Sequence, residues 1–346
     1  MIKTKSTRSL SIYIIAGESS GDFLGAMLID NLQYLASNIS FNGIGGPLMI
    51  DKGFESLFPI DDLNIMGLTE VLPRVPLLLR RINETIKHII KLRPDIVITI
   101  DSPDFSFRVV KQLKHTNSYL VHYVAPTVWA WRPKRAKKIA KIYHQLLTLF
   151  PFEPTYFEKE GLPATFVGHP LIESDLDTGN SEAFYKRNNI PRHAKIICFL
   201  PGSRYSEISK LLPIFVKALT RLRETWPDLY IVIPTVESLK PTILSMITGI
   251  SNIHVVSKYE HKKDAYAASI AAVAASGTVT LELAIAKVPA IITYRVNPIT
   301  AFIARRLLKI KHVSLINILI NSNIFPELLQ DKCKAETIAE ELKQLV

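Results

Sequence analysis

Residues 12–22 read IYIIAGESSGD, and this stretch decides how the rest of the chain is interpreted. An apolar, β-branched run leads directly into Gly17, and a carboxylate, two serines, Gly21 and Asp22 follow. Such an ending is typical of α/β sheets, in which ligands bind beyond the carboxyl ends of parallel strands. The free amides of the next helix can meet an anion or a hydroxyl there. An ordinary strand–helix turn, with Ser20 or Asp22 as the helix N-cap, explains the same residues equally well.

Short apolar runs alternate with amphipathic segments through the whole chain. Strands are predicted at 11–17, 95–101, 119–126, 195–202, 228–235, 254–257, 271–277 and 289–295. Helices are predicted at 22–36, 74–92, 105–115, 134–149, 207–224 and 335–345. This spacing indicates parallel sheets with crossover helices. Because an irregular connection at 150–175 splits the pattern, we expect an α/β fold of two Rossmann-like domains facing a cleft, residues 1–172 and 173–346.

The composition is that of a globular chain with excess positive charge. Its 346 residues are 48% hydrophobic and 21% charged, with a formal net charge of +11. The charge favours nucleic acid, an anionic membrane surface or a phosphorylated small molecule as partner, unless it only reflects a lysine-rich genome. The two distant cysteines, Cys198 and Cys333, indicate neither a disulfide framework nor a zinc site and fit a reducing cytoplasm.

The N-terminus and the apolar segments bear on membrane insertion. Lys3, Lys5 and Arg8 precede a short apolar run and imitate a secretory signal, but a first β-strand is the better interpretation. No uncharged stretch approaches the ~20 residues that a membrane-spanning helix needs.

A second predicted strand end lies in LPGSRYSEI (200–208). Gly202, Ser203 and Arg204 follow the strand and precede a helix, with Ser206 available as N-cap. Backbone amides, a helix dipole and a guanidinium together suit a diphosphate, although the GK[ST] ending of a Walker loop is missing. The alternative for Arg204 is an ordinary surface arginine.

Two further strand ends carry carboxylates. In ASGTVTLELA (275–284), Thr278 can cap a helix, and Glu282 either answers the helix dipole or accepts hydrogen bonds from a ribose. In ITIDSPDFSF (98–107), Asp104 is the natural N-cap of the next helix. Asp101 is then left as a candidate general base at the strand end.

Three stretches mix bulky apolar side chains with arginine and lysine, at 65–82, 122–143 and 301–312. Tryptophans among lysines can bind single-stranded nucleic acid or lie at a membrane surface. Solvated helix faces explain any one of the three stretches, but all three together favour a peripheral membrane surface. No metal constellation is present, and we attribute the pair Asp175 and Asp177 to chance.

Eight motifs, in order, resemble those of the lipid-A-disaccharide synthase family, which comprises inverting glycosyltransferases of the two-domain GT-B type. They are AGESSGD (16–22), MGLTEVLPR (66–74), TIDSPDFSFR (99–108), HYVAPTVWAWRPKR (122–135), VGHPL (167–171), LPGSRYSEI (200–208), ASGTVTLELA (275–284) and SLINIL (314–319). The family joins UDP-2,3-diacylglucosamine to 2,3-diacylglucosamine 1-phosphate (lipid X) and releases UDP, forming the β-1,6-linked disaccharide of lipid A.

The resemblance implies roles for individual residues. Asp101 is implied as the base that deprotonates the acceptor 6-hydroxyl, with Glu18 and Ser20 close to the reaction centre. The implied UDP-donor site comprises Gly202, Ser203, Arg204, Ser276, Gly277, Thr278, Glu282 and Asn317. No metal or other cofactor is implied, because a guanidinium and helix dipoles offset the leaving-group charge.

The resemblance also implies a cytoplasmic homodimer that is peripherally associated with the inner membrane and its anionic phospholipid, and no nucleic-acid partner. The residues predicted to face lipid are Val75, Leu78, Leu79, Arg80, Trp129, Trp131, Arg132, Lys134 and Arg135. Two features depart from the family pattern: Leu315 and Ile316 replace the usual proline before Asn317, and family members usually continue through further helix beyond Val346.

Three alternatives lead to different tests. A UDP-N-acetylglucosamine epimerase keeps the phosphate and ribose sites but needs no aliphatic-basic surface. A nicotinamide-dependent oxidoreductase is disfavoured, because GIGGP (43–47) lacks the GxGxxG spacing. A basic binding protein without enzymatic activity explains the charge but not four polar strand ends, and its nucleic-acid binding is expected to fall steeply with salt.

Overall fold

A computed structural model describes residues 9–63, 68–129, 133–297, 306 and 310–346, including their side chains except those of 68–74 and 103. The chain divides into two compact units, Met1–His169 and Pro170–Val346, three residues before the boundary expected from the sequence.

The first unit is an α/β layer structure around one parallel sheet. Its strands are β1 (Leu10–Ala16), β2 (Ile39–Ile44), β3 (Glu55–Ser56), β4 (Ile96–Ile100), β5 (Tyr119–Tyr123), β6 (Gln145–Thr148) and β7 (Ala164–Phe166). Its helices are α1 (Ser19–Leu35), α2 (Pro47–Ile50), α3 (Leu68–Leu92), α4 (Pro103–Lys111), α5 (Lys134–Ala140) and α6 (Pro154–Glu158), with a 3₁₀ turn at Ile60–Asp62. The strand order is β3-β2-β1-β4-β5-β6-β7, with all pairs parallel.

The second unit repeats the plan. Its strands are β8 (Ile196–Leu200), β9 (Tyr230–Pro234), β10 (Ile253–Val256), β11 (Ala271–Ala275), β12 (Ala290–Tyr294) and β13 (Glu327–Leu329). Its helices are α7 (Ser181–Arg187), α8 (Tyr205–Arg223), α9 (Lys240–Met246), α10 (Tyr259–Ala268), α11 (Val279–Ile285), α12 (Leu315–Ile320) and α13 (Ala335–Leu345). Short 3₁₀ turns lie at Pro170–Glu173, Leu176–Thr178, Glu237–Leu239 and Gln330–Lys332. The parallel order is β10-β9-β8-β11-β12-β13.

The central strands are apolar at nearly every position because both of their faces are buried. On β1, Ile12 and Ile14 pack into one core cluster, while Tyr13 and Ile15 pack into the cluster on the other face. Side chains alternate between the faces of a strand, so a strand covered by helices on both sides has no polar face. β8 follows the same rule, with Phe199 in one cluster and Cys198 in the other. Each fully buried aliphatic side chain contributes about 1.5–3 kcal/mol to stability.

The prediction of an α/β fold with two parallel-sheet domains is confirmed, and the eight predicted strands all form. The helix predicted at 134–149 is wrong in its second half: α5 ends at Ala140 and residues 145–148 form β6. Val121, His122 and Tyr123 of β5 pair with β6, so strand pairing overrides the helical spacing of its apolar residues.

Candidate active site

In both sheets, the predicted site residues lie at the topological switch point, where the strand order reverses. In the first sheet this switch lies between β1 and β4, and in the second it lies between β8 and β11. Crossover helices leave such neighbouring strands towards opposite faces, which opens a crevice beyond their carboxyl ends. Glu18 and Asp101 follow β1 and β4, and Gly202 and Gly277 follow β8 and β11. The facing of the two domains across a cleft stays a prediction.

The first crevice is closed at its base by contact between two turns. A Cβ added to Gly17 would lie 2.4 Å from Ser102 Oγ, so only glycine permits this approach of the turn after β1 to the turn after β4. A Cβ on Gly21 would lie 3.4 Å from the Ile100 carbonyl oxygen. The GESSGD turn therefore packs against the strand end that carries Asp101. Glu18 is half-buried here and Ser20 is exposed.

The expectation that Ser20 or Asp22 caps α1 is wrong. The N-cap of α1 is Glu18, with extended backbone and no capping side-chain bond. The buried Asp22 carboxylate instead accepts hydrogen bonds from the amides of Gly46, Leu48 and Met49, at 2.8–3.0 Å. It thus caps α2, where an anion offsets the unpaired N–H groups of a helix start.

Asp101 lies at the carboxyl end of β4 in a strained conformation. Its φ is +48° and that of Ser102 is +41°, both in the left-handed region that non-glycine residues seldom adopt. The Asp101 amide donates to the Tyr123 carbonyl at 3.0 Å, which fixes the turn to β5. Burial raises the pKa of the Asp101 carboxyl above its ordinary value, partly offset by a hydrogen bond from the Ser102 backbone. A desolvated carboxylate held in this way is suited to act as a base.

Asp104 does not fill the capping role expected of it. Helix α4 begins at Pro103, and Ser102 occupies the N-cap position. Asp104 lies in the first turn with its side chain 95% exposed, 3.3 Å from the Arg135 guanidinium. Its position and its exposure therefore differ sharply from those of Asp101.

Behind Asp101, a buried polar network joins β4 to β5. Thr99 Oγ1 lies 2.7 Å from His122 Nδ1 and 2.9 Å from Tyr143 Oη, and all three side chains are buried. Burial lowers the pKa of His122 to about 3, although a hydrogen bond with the Thr99 backbone acts in the opposite direction. The imidazole is therefore neutral near pH 7, which favours a structural role.

Sequence reasoning missed Glu153, a carboxyl of the first unit that has three hydrogen-bond donors. It is buried and accepts hydrogen bonds from the amides of Leu149 and Phe150 and, at 3.3 Å, from the Trp129 indole. Burial raises its pKa to about 7 despite these three donors. Phe152 meets the Trp129 ring edge-on with centroids 5.3 Å apart. The only sequence signal was a glutamate among aromatic residues, because the strand before it, β6, had been predicted as part of a helix.

The second sheet presents an open turn at the end of β8. Gly202 has φ +118°, and a Cβ there would lie 2.3 Å from Glu207 Oε2, so glycine is required. Ser203 and Arg204 are exposed, and Arg204 rather than Ser206 occupies the N-cap position of α8. Glu207 reaches back to the Ser203 amide at 3.1 Å and to the Arg204 guanidinium at 3.5 Å. A cation and backbone amides are thus gathered around a carboxylate, the kind of group that a diphosphate can replace.

The turn after β11 supplies the other wall of this crevice. Ser276 Oγ donates to the Val313 carbonyl at 2.7 Å, which ties the turn to the segment before α12. A Cβ on Gly277 would meet no described atom within 4 Å, so this glycine borders open space. Thr278 holds the N-cap position of α11 without a capping side-chain bond.

Glu282 is already engaged by its own unit. Its Oε2 accepts from Tyr266 Oη at 2.8 Å and lies 2.6 Å from Lys262 Nζ. The carboxylate is thereby oriented from α10, and both interpretations of Glu282, as ribose ligand or as partner of the helix dipole, stay predictions.

Asn317 is buried, with its amide used inside the unit. It donates to the Phe325 carbonyl at 2.7 Å and to Glu327 Oε1 at 3.0 Å, and its Oδ1 accepts from the Phe325 amide at 3.0 Å. These bonds hold the 317–327 loop closed. A ligand-binding role for Asn317 therefore stays a prediction that its contacts do not favour.

The residues predicted to face lipid are placed unequally. Val75 and Leu79 of α3 are exposed, whereas Leu78 packs partly against the core. Arg80 and Lys134 are exposed, and Trp129 is half-buried. Arg135 turns towards the protein, 5.3 Å above the Phe107 ring. Trp131, Arg132 and most of the stretch 301–312 lie outside the described residues.

Potential metal ligands and membrane-spanning helices complete the description of the site. Within the described ranges, no group of three or more His, Cys, Asp or Glu side chains is arranged to hold a metal ion. Asp175 instead binds Tyr259 at 3.0 Å and Lys263, which tie it to α10. None of the described helices combines the length and the apolar character needed to cross a bilayer.

Comparison with solved structures identifies the fold. A glycosyltransferase from Rickettsia africae superposes with a TM-score of 0.60 at 14% identity, covering 98% of this chain and 88% of its own. The UDP-GlcNAc 2-epimerase of Neisseria meningitidis, solved with UDP-GlcNAc, gives 0.61 at 12% identity and covers 97% and 100%. At these identities the likeness shows the GT-B fold alone.

Sequence comparison identifies the family. A family model described as lipid-A-disaccharide synthetase matches residues 12–346. The lipid-A-disaccharide synthase of Rhodospirillum centenum is 46% identical over 98% of this chain and 86% of its own length. That of Rickettsia prowazekii is 39% identical over 97% and 88%. With motifs, fold and strand-end residues in agreement, the chain belongs to the lipid-A-disaccharide synthase family of disaccharide-forming glycosyltransferases.

Proposed function

We propose that the protein transfers 2,3-diacylglucosamine from its UDP ester to the 6-hydroxyl of 2,3-diacylglucosamine 1-phosphate by direct displacement at the anomeric carbon. The observation that carries this proposal is the Asp101 carboxyl at the switch point of the first sheet, with its pKa raised by burial. The family supports the UDP-sugar and phosphorylated glucosamine as substrates. Inversion gives the β-1,6 linkage.

Asp101 removes the proton of the acceptor hydroxyl as that oxygen attacks. A raised pKa makes the carboxylate a stronger base, and the backbone turn at Asp101 and Ser102 holds it at the crevice. Glu18 and Ser20 lie on the neighbouring turn, from which they contact the acceptor. General base catalysis of this kind contributes about 10²–10⁴ in rate.

The UDP leaving group is held by the second unit. Arg204 and the amides of Gly202 and Ser203 bind the diphosphate, taking the place of the Glu207 carboxylate in that turn. Glu282, oriented by Tyr266 and Lys262, accepts the ribose hydroxyls. Ser276, Gly277, Thr278 and Asn317 complete or support this site. Charge that develops on the departing phosphate is offset by the guanidinium and the start of α8, without a metal ion.

The enzyme acts as a cytoplasmic homodimer at the inner-membrane surface, where both acylated substrates reside. The exposed Val75 and Leu79 on α3, next to Arg80, support lipid contact because apolar side chains flanked by cations suit an anionic bilayer interface. Trp129 and Lys134 extend this surface in our proposal.

The test is UDP release from UDP-2,3-diacylglucosamine in nonionic detergent micelles, with and without the 1-phosphate acceptor, and with EDTA throughout. We expect release that depends on the acceptor and survives EDTA, accompanied by a disaccharide product on mass analysis. Release without acceptor, or loss of release in EDTA that added metal restores, would contradict the proposed displacement. No release from folded protein would point to another UDP-sugar, such as that of the epimerases.

A further inference from the structure

Beside α5 the first unit has an open depression of about 540 Å³, lined by Pro133, Lys134, Lys137, Lys138, Lys141 and Glu160. We call it the α5 depression. Four of its six lining side chains are lysines, and none of these four belongs to the proposed catalytic crevice. Lys134 is already part of the proposed lipid surface, but Lys137, Lys138, Lys141 and Glu160 have no role in the proposed function.

The spacing of the lysines follows from helix geometry. Positions 134, 137, 138 and 141 are separated by three, four and seven residues from the first, so they share one face of the helix and its C-terminal turn. The opposite face carries Ala136 and Ile139, both buried in the core. All four ammonium groups are thus directed to one side and span about 10 Å along the helix axis.

The positive charge of this face is uncompensated. Among the described residues no ion pair within 4 Å joins any of the four lysines to a carboxylate, and all four are exposed. Arg135, the remaining cation of the segment 134–141, is instead paired with Asp104. One carboxylate, Glu160, lies on the rim. Four like charges around a concave surface concentrate a field that attracts a multiply charged anion.

The position of α5 favours a lipid headgroup over a soluble anion. The helix starts just beyond the carboxyl edge of the first sheet, where Trp129 lies half-buried after β5. Four exposed lysines along one open face suit the headgroup layer, in which each lysine near an anionic surface contributes about 1 kcal/mol, or roughly fivefold in binding.

We propose that the α5 depression binds the phosphate groups of anionic phospholipids, and that it gives the protein its preference for anionic over zwitterionic membranes. This inference rests on the proposed action at a membrane surface and adds the headgroup chemistry to it. The exposed apolar residues of α3 insert into the membrane, and this contribution does not depend on lipid charge. The lysines that line the α5 depression bind only lipids whose headgroups are anionic.

The experiment measures co-sedimentation of the full chain with phosphatidylcholine vesicles that contain 0 or 30% phosphatidylglycerol. We compare two triple variants. The α5 variant carries Lys137→Gln, Lys138→Gln and Lys141→Gln, and the control replaces three exposed lysines of the second unit by Lys210→Gln, Lys217→Gln and Lys343→Gln. We expect the α5 variant to bind anionic vesicles about ten- to a hundredfold more weakly, with binding to pure phosphatidylcholine unchanged. Equal losses in the two variants would overturn the site, because net charge alone would then explain them.

A second variant is expected to strengthen vesicle binding, a change that misfolding cannot produce. Glu160→Gln removes the carboxylate on the rim, so we expect binding to anionic vesicles to strengthen by a few-fold. Unchanged or weakened binding would count against the depression as the headgroup site.

Two further arms separate the sources of phosphate. In the first arm, inorganic phosphate at millimolar concentration is added to protein bound to vesicles that contain phosphatidylglycerol. If phosphate releases the protein from these vesicles, the site binds soluble anions and the lipid assignment fails. If the α5 variant loses binding to single-stranded DNA but keeps vesicle binding, the partner is nucleic acid. UDP release in nonionic detergent should be unchanged in the α5 variant, whereas failure of the wild type in that assay would reject the proposed function alone.

Discussion

The carboxyl edges of the two sheets share a topology but are built in different ways. In the first, the chain turns through left-handed conformations at Asp101 and Ser102, and the Asp101 carboxyl is buried enough to raise its pKa. In the second, the left-handed position is Gly202, and the exposed Ser203 and Arg204 follow it. Proton transfer needs a fixed and desolvated carboxylate, whereas a diphosphate needs accessible amides and a cation.

The difference extends to stored strain. A non-glycine residue in the left-handed region costs about 1–3 kcal/mol, and glycine adopts it without that cost. The first edge contains a third such position, Val124 with φ +78°, at the end of β5. Among the described residues, the second edge has one such position, Gln330 with φ +51° directly after β13, but it lies away from the switch point between β8 and β11. At the switch points themselves, backbone strain in non-glycine residues is found where we place the chemistry and not where we place the diphosphate.

The largest effect is expected at the first edge. Asp101→Asn keeps the size of the side chain but removes its basicity, so kcat should fall by about 10²–10⁴. The UDP donor should bind with an unchanged Kd, since its site is assigned to the other unit. Steady-state kinetics of acceptor-dependent UDP release, with calorimetry for UDP binding, measures both quantities.

Asp104→Asn is the matched control, because this carboxylate lies three residues away and is 95% exposed. It should retain activity within about twofold. If the two variants lose activity equally, or if Asp101→Asn loses donor binding as well, Asp101 would not be a general base that acts separately from nucleotide binding.

A smaller loss is expected from Arg204→Ala at the second edge. Removing a cation that stabilises charge in the transition state costs about 10²–10³ in kcat/KM, and here UDP binding should weaken too. Arg192→Ala, at a side chain 80% exposed and paired loosely with Glu182, is the control. Unchanged affinity for UDP in Arg204→Ala would show that the second edge does not hold the diphosphate.

The framework of both edges was predictable because it depends on buried strands. β1, β4, β8 and β11 are apolar on both faces, so their sequence pattern is unambiguous. Parallel order then places residues that follow those strands at the switch points. Five strands were missed. The strands β3, β6, β7 and β13 have two to four residues, which is too short for a recognisable pattern, and the six residues of β2 are interrupted by Asn42 and Gly43.

The hydrogen bonds that shape the edges were not predictable. Asp22 caps α2 across 24–27 residues of chain, and Glu153 meets Trp129 across 24. Such pairings depend on where the sheet brings distant segments, which local spacing does not encode. The same holds for Asn317: the resemblance implied it as a UDP ligand, and no local pattern shows that its amide bonds with Phe325 and Glu327 inside its own unit.

Asn317→Ala tests whether Asn317 supports the structure of the second edge or binds UDP directly. The substitution leaves the Phe325 amide and carbonyl without their partners in a buried loop, so the free energy of unfolding should fall by about 2–3 kcal/mol. Affinity for UDP should change less than in Arg204→Ala. Urea denaturation and UDP calorimetry measure the two effects. A stable variant with lost UDP binding would restore Asn317 as a direct ligand.

The smallest effect is a gain in stability at the first edge. Burial raises the pKa of Asp101 in the folded protein above its unfolded value, so the native state holds this proton more tightly. That contribution is fully present below the unfolded pKa, near 3.8, and is lost as pH rises through the folded pKa. An amide at this position does not titrate, so Asp101→Asn should be more stable than wild type at pH 7.5.

The pH dependence distinguishes this gain from a general packing effect. The stability difference between Asp101→Asn and wild type should shrink as pH falls towards 4, where the native carboxyl also becomes neutral. Urea denaturation at several values between pH 4 and 8 measures it, with Asp104→Asn as the exposed reference. A stability difference independent of pH, or a variant less stable than wild type at pH 7.5, would mean that the folded protein does not raise the pKa of Asp101. Holding the Asp101 carboxylate at the first edge would then cost no folding free energy, and its burial would not make it a stronger base.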